Sequence, residues 1–371
     1  TSKHSIGVPG LYNMLADAHG LHGNLDWELL FEFAIKYSEG FKVTPRLNKL
    51  LTWAPHIRNN EFVKSVFYKN NKPAKVGSYI SNLELKNSLK MLSKDKYSLK
   101  KGLLAKKIAT SMVGYIPLSD INQWETKAIK PLCKKYYKNK ICGFPPPTSG
   151  GISVLQILGI LKNRLDLTKN NEPFFQQHAF LEASRLSYLD RDFYIADPNY
   201  FEVPVKSLLD ESYLKQRASL IKNKSSQNYK RGLIDQFIES NLIKGENHEN
   251  QSTTHISIVD STGNAVCLTS SIEFAFGSGI TIGGFFMNNQ LTDFSFYSKN
   301  LEGTQIANSV SPGKKPRSSM APTLIFDDKQ NLVGIVGSPG GSRIICYVAK
   351  TIFDILYLNI APDRAIENIH L

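Results

Sequence analysis

The sequence predicts an α+β domain in which helices cover antiparallel strands, and three observations carry that expectation. Helical periodicity dominates the first half, two hairpin signatures lie between residues 253 and 336, and an apolar-periodic helix follows the second hairpin. There is no internal repeat, and no βαβ dinucleotide unit is expected.

In chain order, Leu11, Met14, Leu15 and Ala18 fall at i, i+3, i+4 and i+7, which predicts a short amphipathic helix closing near Gly20. Residues 59–135 are Lys-rich and weakly periodic, without a sharp linker. Gly143-Phe-Pro-Pro-Pro-Thr-Ser-Gly-Gly151 cannot continue a helix, because three prolines fix φ and remove donors. Thr148 or Ser149 then caps a helix running through Ile152, Leu155 and Leu158, and a further helix covers Gln176 to Asp190. Residues 222–250 read as an exposed polar loop. At Thr253 the pattern changes to period two, meets the turn Ser261-Thr262-Gly263-Asn264 and resumes as Ala265 to Thr269. A second hairpin joins Thr323–Phe326 to Leu332–Val336 through Asp327 to Asn331, and Ile345, Val348, Ile352 and Ile355 mark the last helix.

Composition narrows the class. The 371 residues carry 45 Lys and Arg against 32 Asp and Glu, a formal charge of +13, with 42% hydrophobic and 21% charged residues. These values exclude collagen and low-complexity disorder and allow one large domain or two ordinary ones. The longest nearly apolar stretch, Gly151 to Leu161, is about half the length a membrane-spanning helix needs. No aromatic-interleaved nucleic-acid motif accompanies the Lys runs (Lys69–Lys75, Lys94–Lys107, Lys127–Lys140), so they read as solvated faces and no nucleic-acid partner is expected. The four cysteines contain no C-x-x-C pair. A Cys133–Cys142 bridge is one pairing that their spacing does not single out. The first ten residues show neither an initiator Met nor a secretory leader, consistent with a removed leader or a start inside a longer frame.

Several chemistries lack support. His19 and His22 sit among Gly20 and Gly23 with no carboxylate ligand nearby, so no metal is expected. Gly277-Ser278-Gly279 is followed by Ile282 where a dinucleotide loop needs glycine, and Gly340-Gly341 lacks a downstream Lys-Ser/Thr. Gly337-Ser338-Pro339-Gly340 is a poor nucleophile elbow, since Pro339 obstructs the strand-to-helix turn. It reads better as a tight turn presenting backbone N–H groups, of the kind that can form an oxyanion hole.

What remains is Thr253-Thr254-His255, a hydroxyl at the head of a strand. It stands with Asp260 to Val266, Phe276-Gly277-Ser278-Gly279, Asn288-Asn-Gln-Leu-Thr-Asp-Phe-Ser295, Lys315-Pro-Arg-Ser-Ser-Met-Ala-Pro-Thr323 and Gly337-Ser-Pro-Gly-Gly-Ser-Arg343. In that order these motifs closely resemble the small subunit of the γ-glutamyltranspeptidases. Gly7-Val-Pro-Gly10, Pro145 to Gly151 and His178 to Pro198 resemble the large subunit.

The resemblance implies an N-terminal-nucleophile hydrolase, an αββα sandwich made as a precursor that cuts itself between Ser252 and Thr253. A large-subunit-like part, 1–252, and a small-subunit-like part, 253–371, would together form one sandwich domain and associate after cleavage. A threonine hydroxyl is a weak nucleophile unless a base is within reach, and the freed α-amine of the same residue can serve. By resemblance, Thr253 is the nucleophile, Ser271 supports it, and the Gly340 and Gly341 amides hold the oxyanion. Ser318 and Ser319 would receive the glutamyl α-carboxylate, and Asp293 with Gln290 and Glu273 its ammonium. Arg317 and Arg343 read as buried ion pairs or loop anchors.

The implied activity is γ-glutamyl transfer from glutathione and γ-glutamyl amides to water, an amino acid or a dipeptide. No cofactor is needed, and the implied location is periplasmic or extracellular. Alternatives are a truncated inactive remnant, a subunit requiring a partner chain, or a related acylase. Family members also carry an N-terminal segment with an Arg-Glu-Thr-like motif and further strands after the last helix. Neither is found in this sequence, so an incomplete sandwich and weak γ-glutamyl anilide hydrolysis by the chain as given are the corresponding expectations.

Overall fold

The computed structural model describes residues 2–165, 172–226, 228–237, 244, 252–299 and 306–370. The elements are α1 (Leu11–His22), α2 (Glu32–Glu39), β1 (Phe41–Lys42), α3 (Pro45–Trp53), α4 (Glu61–Phe67), β2 (Tyr68–Lys69), β3 (Lys72–Pro73), β4 (Tyr79–Ile80), α5 (Leu83–Lys94), α6 (Leu103–Ser111) and α7 (Leu118–Gln123). There follow β5 (Leu132–Tyr136), β6 (Asn139–Gly143), α8 (Gly150–Arg164), α9 (Pro173–Tyr194), α10 (Val205–Leu208), α11 (Glu211–Ser219), β7 (Thr253–Val259), β8 (Ala265–Ser271), β9 (Thr281–Ile282), β10 (Phe285–Phe286), β11 (Thr323–Phe326), β12 (Leu332–Val336), α12 (Ile344–Leu356) and α13 (Pro362–Glu367). No helix among the described residues is long and apolar enough to cross a membrane.

The chain divides into two compact units, Thr1–Ala128 with Ile272–Leu291, and Ile129–Ser271 with Thr292–Leu371. The first is mainly helical. One of its cores gathers Phe31, Leu92, Leu104, Ile108 and Met112 with Ile282 and Met287 of the returning segment. That segment approaches α5 so closely that a Cβ on Gly284, at φ +81°, would lie 2.2 Å from the Leu85 nitrogen. Only glycine fits there. Asn82 caps α5 and also donates to the Gly284 carbonyl at 2.7 Å. The predicted first helix exists but runs on to His22, and its inward face differs from the expected one. Asn13 and Ala16 are buried, whereas Leu11 and Leu15 are exposed. Tyr12, packed against Trp27 and Phe31, helps set that rotation.

The second unit is built in layers around an antiparallel sheet of order β12–β11–β6–β5. Thr323 of the central strand β11 pairs with Val336 on one side and with Gly143 on the other, so these three strands end together. α8 lies on this sheet and is covered in turn by α9, α11 and α12, which explains why Gly150 to Leu161 are all buried. β7 and β8 form the first expected hairpin as a separate ribbon that runs on to Ser271, which lies opposite Thr253. The Cys267 thiol of β8 reaches the Thr323 and Val336 carbonyls, tying the ribbon to the end of the sheet.

The second expected hairpin has the predicted limits, and the last helix begins at Ile344. The β5–β6 hairpin was not expected. Its Lys-rich, weakly alternating sequence hides strands that pair across a Cys133–Cys142 disulfide. Ser149 stands at the N-cap position just before α8, but its hydroxyl accepts no hydrogen bond from the first turn. It donates to the Ser318 carbonyl instead, while Thr148 Oγ1 accepts from the Gly150 N–H at 3.3 Å. Of the expected polar loop 222–250, residues 227, 238–243 and 245–250 lie outside the described residues.

Candidate active site

The shared strand ends of the second unit bring the separated motifs together. Thr253 heads β7, half-buried, and its Oγ1 donates to the Gly340 carbonyl at 2.7 Å. It also lies 3.4 Å from Ser271 Oγ, and that hydroxyl donates to the Ser252 carbonyl at 3.2 Å. One side chain thus touches both the hydroxyl and the carbonyl that flank the Ser252–Thr253 peptide. Gly340 has φ +137°, a conformation that disfavours any side chain. Neither the Gly340 nor the Gly341 N–H donates to a protein acceptor among the described residues. The loop is positioned from both ends. Gly337 packs against the His255 ring, which bonds Thr269 and Ser257 at 2.8 and 2.9 Å, and Tyr188 of α9 donates to the Ser342 carbonyl.

Ser318 and Ser319 lie just before β11. The Ser318 carbonyl accepts from the Ser149 N–H and Oγ, each at 2.8 Å, which clamps it to the start of α8. Ser319 is buried, and its Oγ accepts from Arg191 Nη2 at 2.8 Å. Asp293 is buried too. Its carbonyl accepts from Asn308 Nδ2 at 2.8 Å, and Asn308 Oδ1 accepts from the Arg317 N–H at 2.9 Å, so Asp293 is tied to the residue that precedes Ser318.

Glu273 and Gln290 belong to the first unit. Glu273 is buried at φ +72° and accepts from Asn289, while the Gln290 N–H donates to Asn288 Oδ1, which also receives the Gly7 N–H.

Arg317 is fully buried, donating to the Arg191 carbonyl and pairing with Asp192 at 3.4 Å, whereas Arg343 is exposed. The loop-anchor reading therefore fits Arg317 and does not describe Arg343. Ser338 is turned onto the Pro339 carbonyl at 2.8 Å, away from any nucleophile-elbow geometry. Cys267 stands 4.0 Å from His255, but burial raises the thiol and lowers the imidazole, so both shifts favour the neutral forms rather than a thiolate–imidazolium pair.

Motif reading missed Arg191, Ser149 as a clamp, and Asn308. Arg191 stands inside the stretch His178 to Pro198 and is 128 residues from Ser319, so nothing local marks the contact.

The family model described as Gamma-glutamyltranspeptidase matches residues 1–371. The chain is 32% identical over 392 residues to the glutathione hydrolase proenzyme of Bacillus subtilis subsp. natto, covering 99% of this chain and 64% of that protein. It spans a little under two thirds of the length of the curated relatives it matches first. Among solved structures, the γ-glutamyltranspeptidase of Helicobacter pylori superposes with a TM-score of 0.60 at 25% identity, over 65% of this chain and 72% of that one. A cephalosporin acylase from Bacillus halodurans superposes with a TM-score of 0.83 at 22% identity, over 98% of this chain and 65% of that one, a likeness of fold alone. The fold is thus the α+β N-terminal-nucleophile hydrolase type expected from the motifs. With the family model running the length of the sequence, the chain belongs to the γ-glutamyltranspeptidase family.

Proposed function

We propose that the chain carries the acyl-transfer centre of a γ-glutamyl hydrolase and transferase, with Thr253 as its nucleophile after self-cleavage. The observation that carries this reading is the contact set at the Ser252–Thr253 peptide, in which Thr253 Oγ1 meets Ser271 and the Gly340 carbonyl while Ser271 meets the Ser252 carbonyl. In cleavage, Thr253 Oγ attacks the Ser252 carbonyl carbon and Ser271 donates to the oxygen as it gains charge. The C–N bond then breaks, the Thr253 nitrogen takes the proton that the attacking hydroxyl gave up, and an ester remains. Water hydrolyses the ester, leaving a Ser252 carboxylate and a free Thr253 amine able to act as base for its own hydroxyl.

In turnover the same hydroxyl, deprotonated by the α-amine, attacks the γ-carbonyl of glutathione or a γ-glutamyl amide, the γ-amide C–N bond breaks, and the amine half leaves with that proton. The Gly340 and Gly341 amides donate to the tetrahedral oxyanion. Ser318, Ser319 and Asp293 receive the amino-acid head, and water, an amino acid or a dipeptide takes the acyl group. The two fragments stay associated, and a periplasmic or extracellular setting belongs to the same proposal.

Intact-mass measurement tests the cleavage step. The expected result is fragments ending at Ser252 and beginning at Thr253, with Thr253→Ala remaining whole. Identical processing of Thr253→Ala would overturn the mechanism.

The acylase-like fold supports a second reading, a related amidase without a need for the amino-acid head. Preference for a glutaryl over a γ-glutamyl anilide would favour it.

A further inference from the structure

The buried surroundings of Ser319 point to a residue with a task of its own. Arg191 lies on α9 and is itself buried. Its Nε donates to Ser149 Oγ at 2.8 Å, its Nη2 to Ser319 Oγ at 2.8 Å, and its Nη1 to Asp192 at 3.2 Å. A serine hydroxyl has one proton and two lone pairs. Once Ser319 Oγ accepts from a guanidinium, its proton has to be given elsewhere, away from the cation. The charge on Arg191 also polarises that O–H bond, which strengthens its donation to an anion.

Arg191 and Arg317 both pair with Asp192, and Lys244 approaches the same carboxylate at 3.7 Å. The arginine is also mechanically linked to the catalytic turn. Tyr188 lies one turn earlier on α9, its ring 5.7 Å from the Arg191 guanidinium, and its hydroxyl holds the Ser342 carbonyl.

Resting on the function proposed above, we propose that Arg191 is a positioning residue that aims the Ser319 hydroxyl at the α-carboxylate of the acyl donor. It acts through Ser319 and does not touch the reacting atoms.

The test is equilibrium binding, by NMR titration of the full chain with L-glutamate and with 4-aminobutyrate. These ligands share the amine and the distal carboxylate and differ in the α-carboxylate. Arg191→Met should weaken glutamate binding roughly tenfold to a hundredfold, the range for hydrogen bonds to charged groups, and leave 4-aminobutyrate within about twofold. Ser319→Ala should do the same, and the double variant should lose no more than either single one. Should Arg191→Met fail to fold, Arg191→Lys carries the test. It keeps a cation but cannot bond Ser149 and Ser319 together, so glutamate binding should still fall selectively. Equal loss of both ligands would assign Arg191 a purely structural role, and unchanged glutamate binding would overturn the proposal outright. A wild-type chain that binds neither ligand removes the glutamyl site itself, and this proposal with it.

Discussion

Replacing Ser271 by alanine removes a side chain that meets both groups of the proposed cleavage at the Ser252–Thr253 peptide, at 3.2 Å from the Ser252 oxygen and 3.4 Å from Thr253 Oγ1. As Thr253 attacks, the Ser252 oxygen becomes an oxyanion. Deleting one donor to such an oxygen costs about 2.7–4 kcal/mol in water-excluded acyl-transfer sites. Here the hydroxyl is half-buried and its bond is long, so a cost of about 2–3 kcal/mol is expected, which corresponds to a rate loss of roughly 30- to 150-fold. The assay is a time course of intact mass on freshly synthesised chain, fitted to a first-order cleavage constant. Ser271→Thr keeps the hydroxyl and should stay within about threefold of wild type, since only a methyl group is added at a half-exposed strand end. Thermal melts of both variants should match the wild type within about 1 kcal/mol, because the position lies outside the packed core. Cleavage of Ser271→Ala at the wild-type rate, or equal slowing of Ser271→Thr, would refute the argument that a hydroxyl at this place stabilises the oxyanion.

Two further outcomes follow from the same ribbon. A Cβ on Gly337 would lie 2.0 Å from the His255 ring, which Thr269 and Ser257 hold, so Gly337→Ala should destabilise the chain by about 1–3 kcal/mol in denaturant unfolding; adding His255→Ala should restore most of the loss, and an unchanged midpoint in the single variant would contradict the packing. Bonds from Asn264 and Thr262 lower the Asp260 carboxyl to about 2, so the turn's stabilisation is complete above its ordinary 3.8 and is lost as pH falls toward 2; an NMR titration midpoint for Asp260 near 3.8 would show that these bonds do not form.

Local pattern made the two hairpins and the last helix legible, because each is specified by neighbours in the chain. Asp260, Thr262 and Asn264 build the first turn from within five residues, and Asp327 with Asn331 does the same for the second. Strands β5 and β6 were not legible, since their alternation is filled by lysines and β11, the strand on the other side of β6, lies far along the chain. The first helix was found but its inward face was misjudged, because rotation about its axis is decided by what it packs against and not by its own periodicity. The proposed site shows the same division. Thr253, Ser318, Ser319, Gly340 and Gly341 stand in recognisable runs. Arg191 and Ser149 act through contacts 128 and 169 residues away; of the two expected cap candidates, Thr148 accepts from the Gly150 N–H while the Ser149 hydroxyl turns to Ser318.

The architecture explains why a helix supplies that arginine. Successive helical residues point about 100° apart, so Asp190 and Arg191 face different surroundings from one turn of α9. Asp190 is buried against α8 and α11, where Gln156, Tyr213, Arg217 and the Gly232 N–H all donate to it at 2.8–2.9 Å. Burial alone pushes its carboxyl upward, and Arg217 with the other donors opposes that shift. Four donors converging on one carboxylate leave α9 little freedom to rotate, because any rotation would strand buried polar groups. With Asp190 locked, Arg191 is held toward the strand ends where Ser149 and Ser319 lie, and Tyr188 toward Ser342. A loop cation would have to be ordered each time the anion arrived, whereas one on a pinned helix is already in place and loses little entropy on binding. The buried Asp190 cluster therefore belongs to the same device as the Ser318–Ser319 pair, even though none of its side chains faces the substrate.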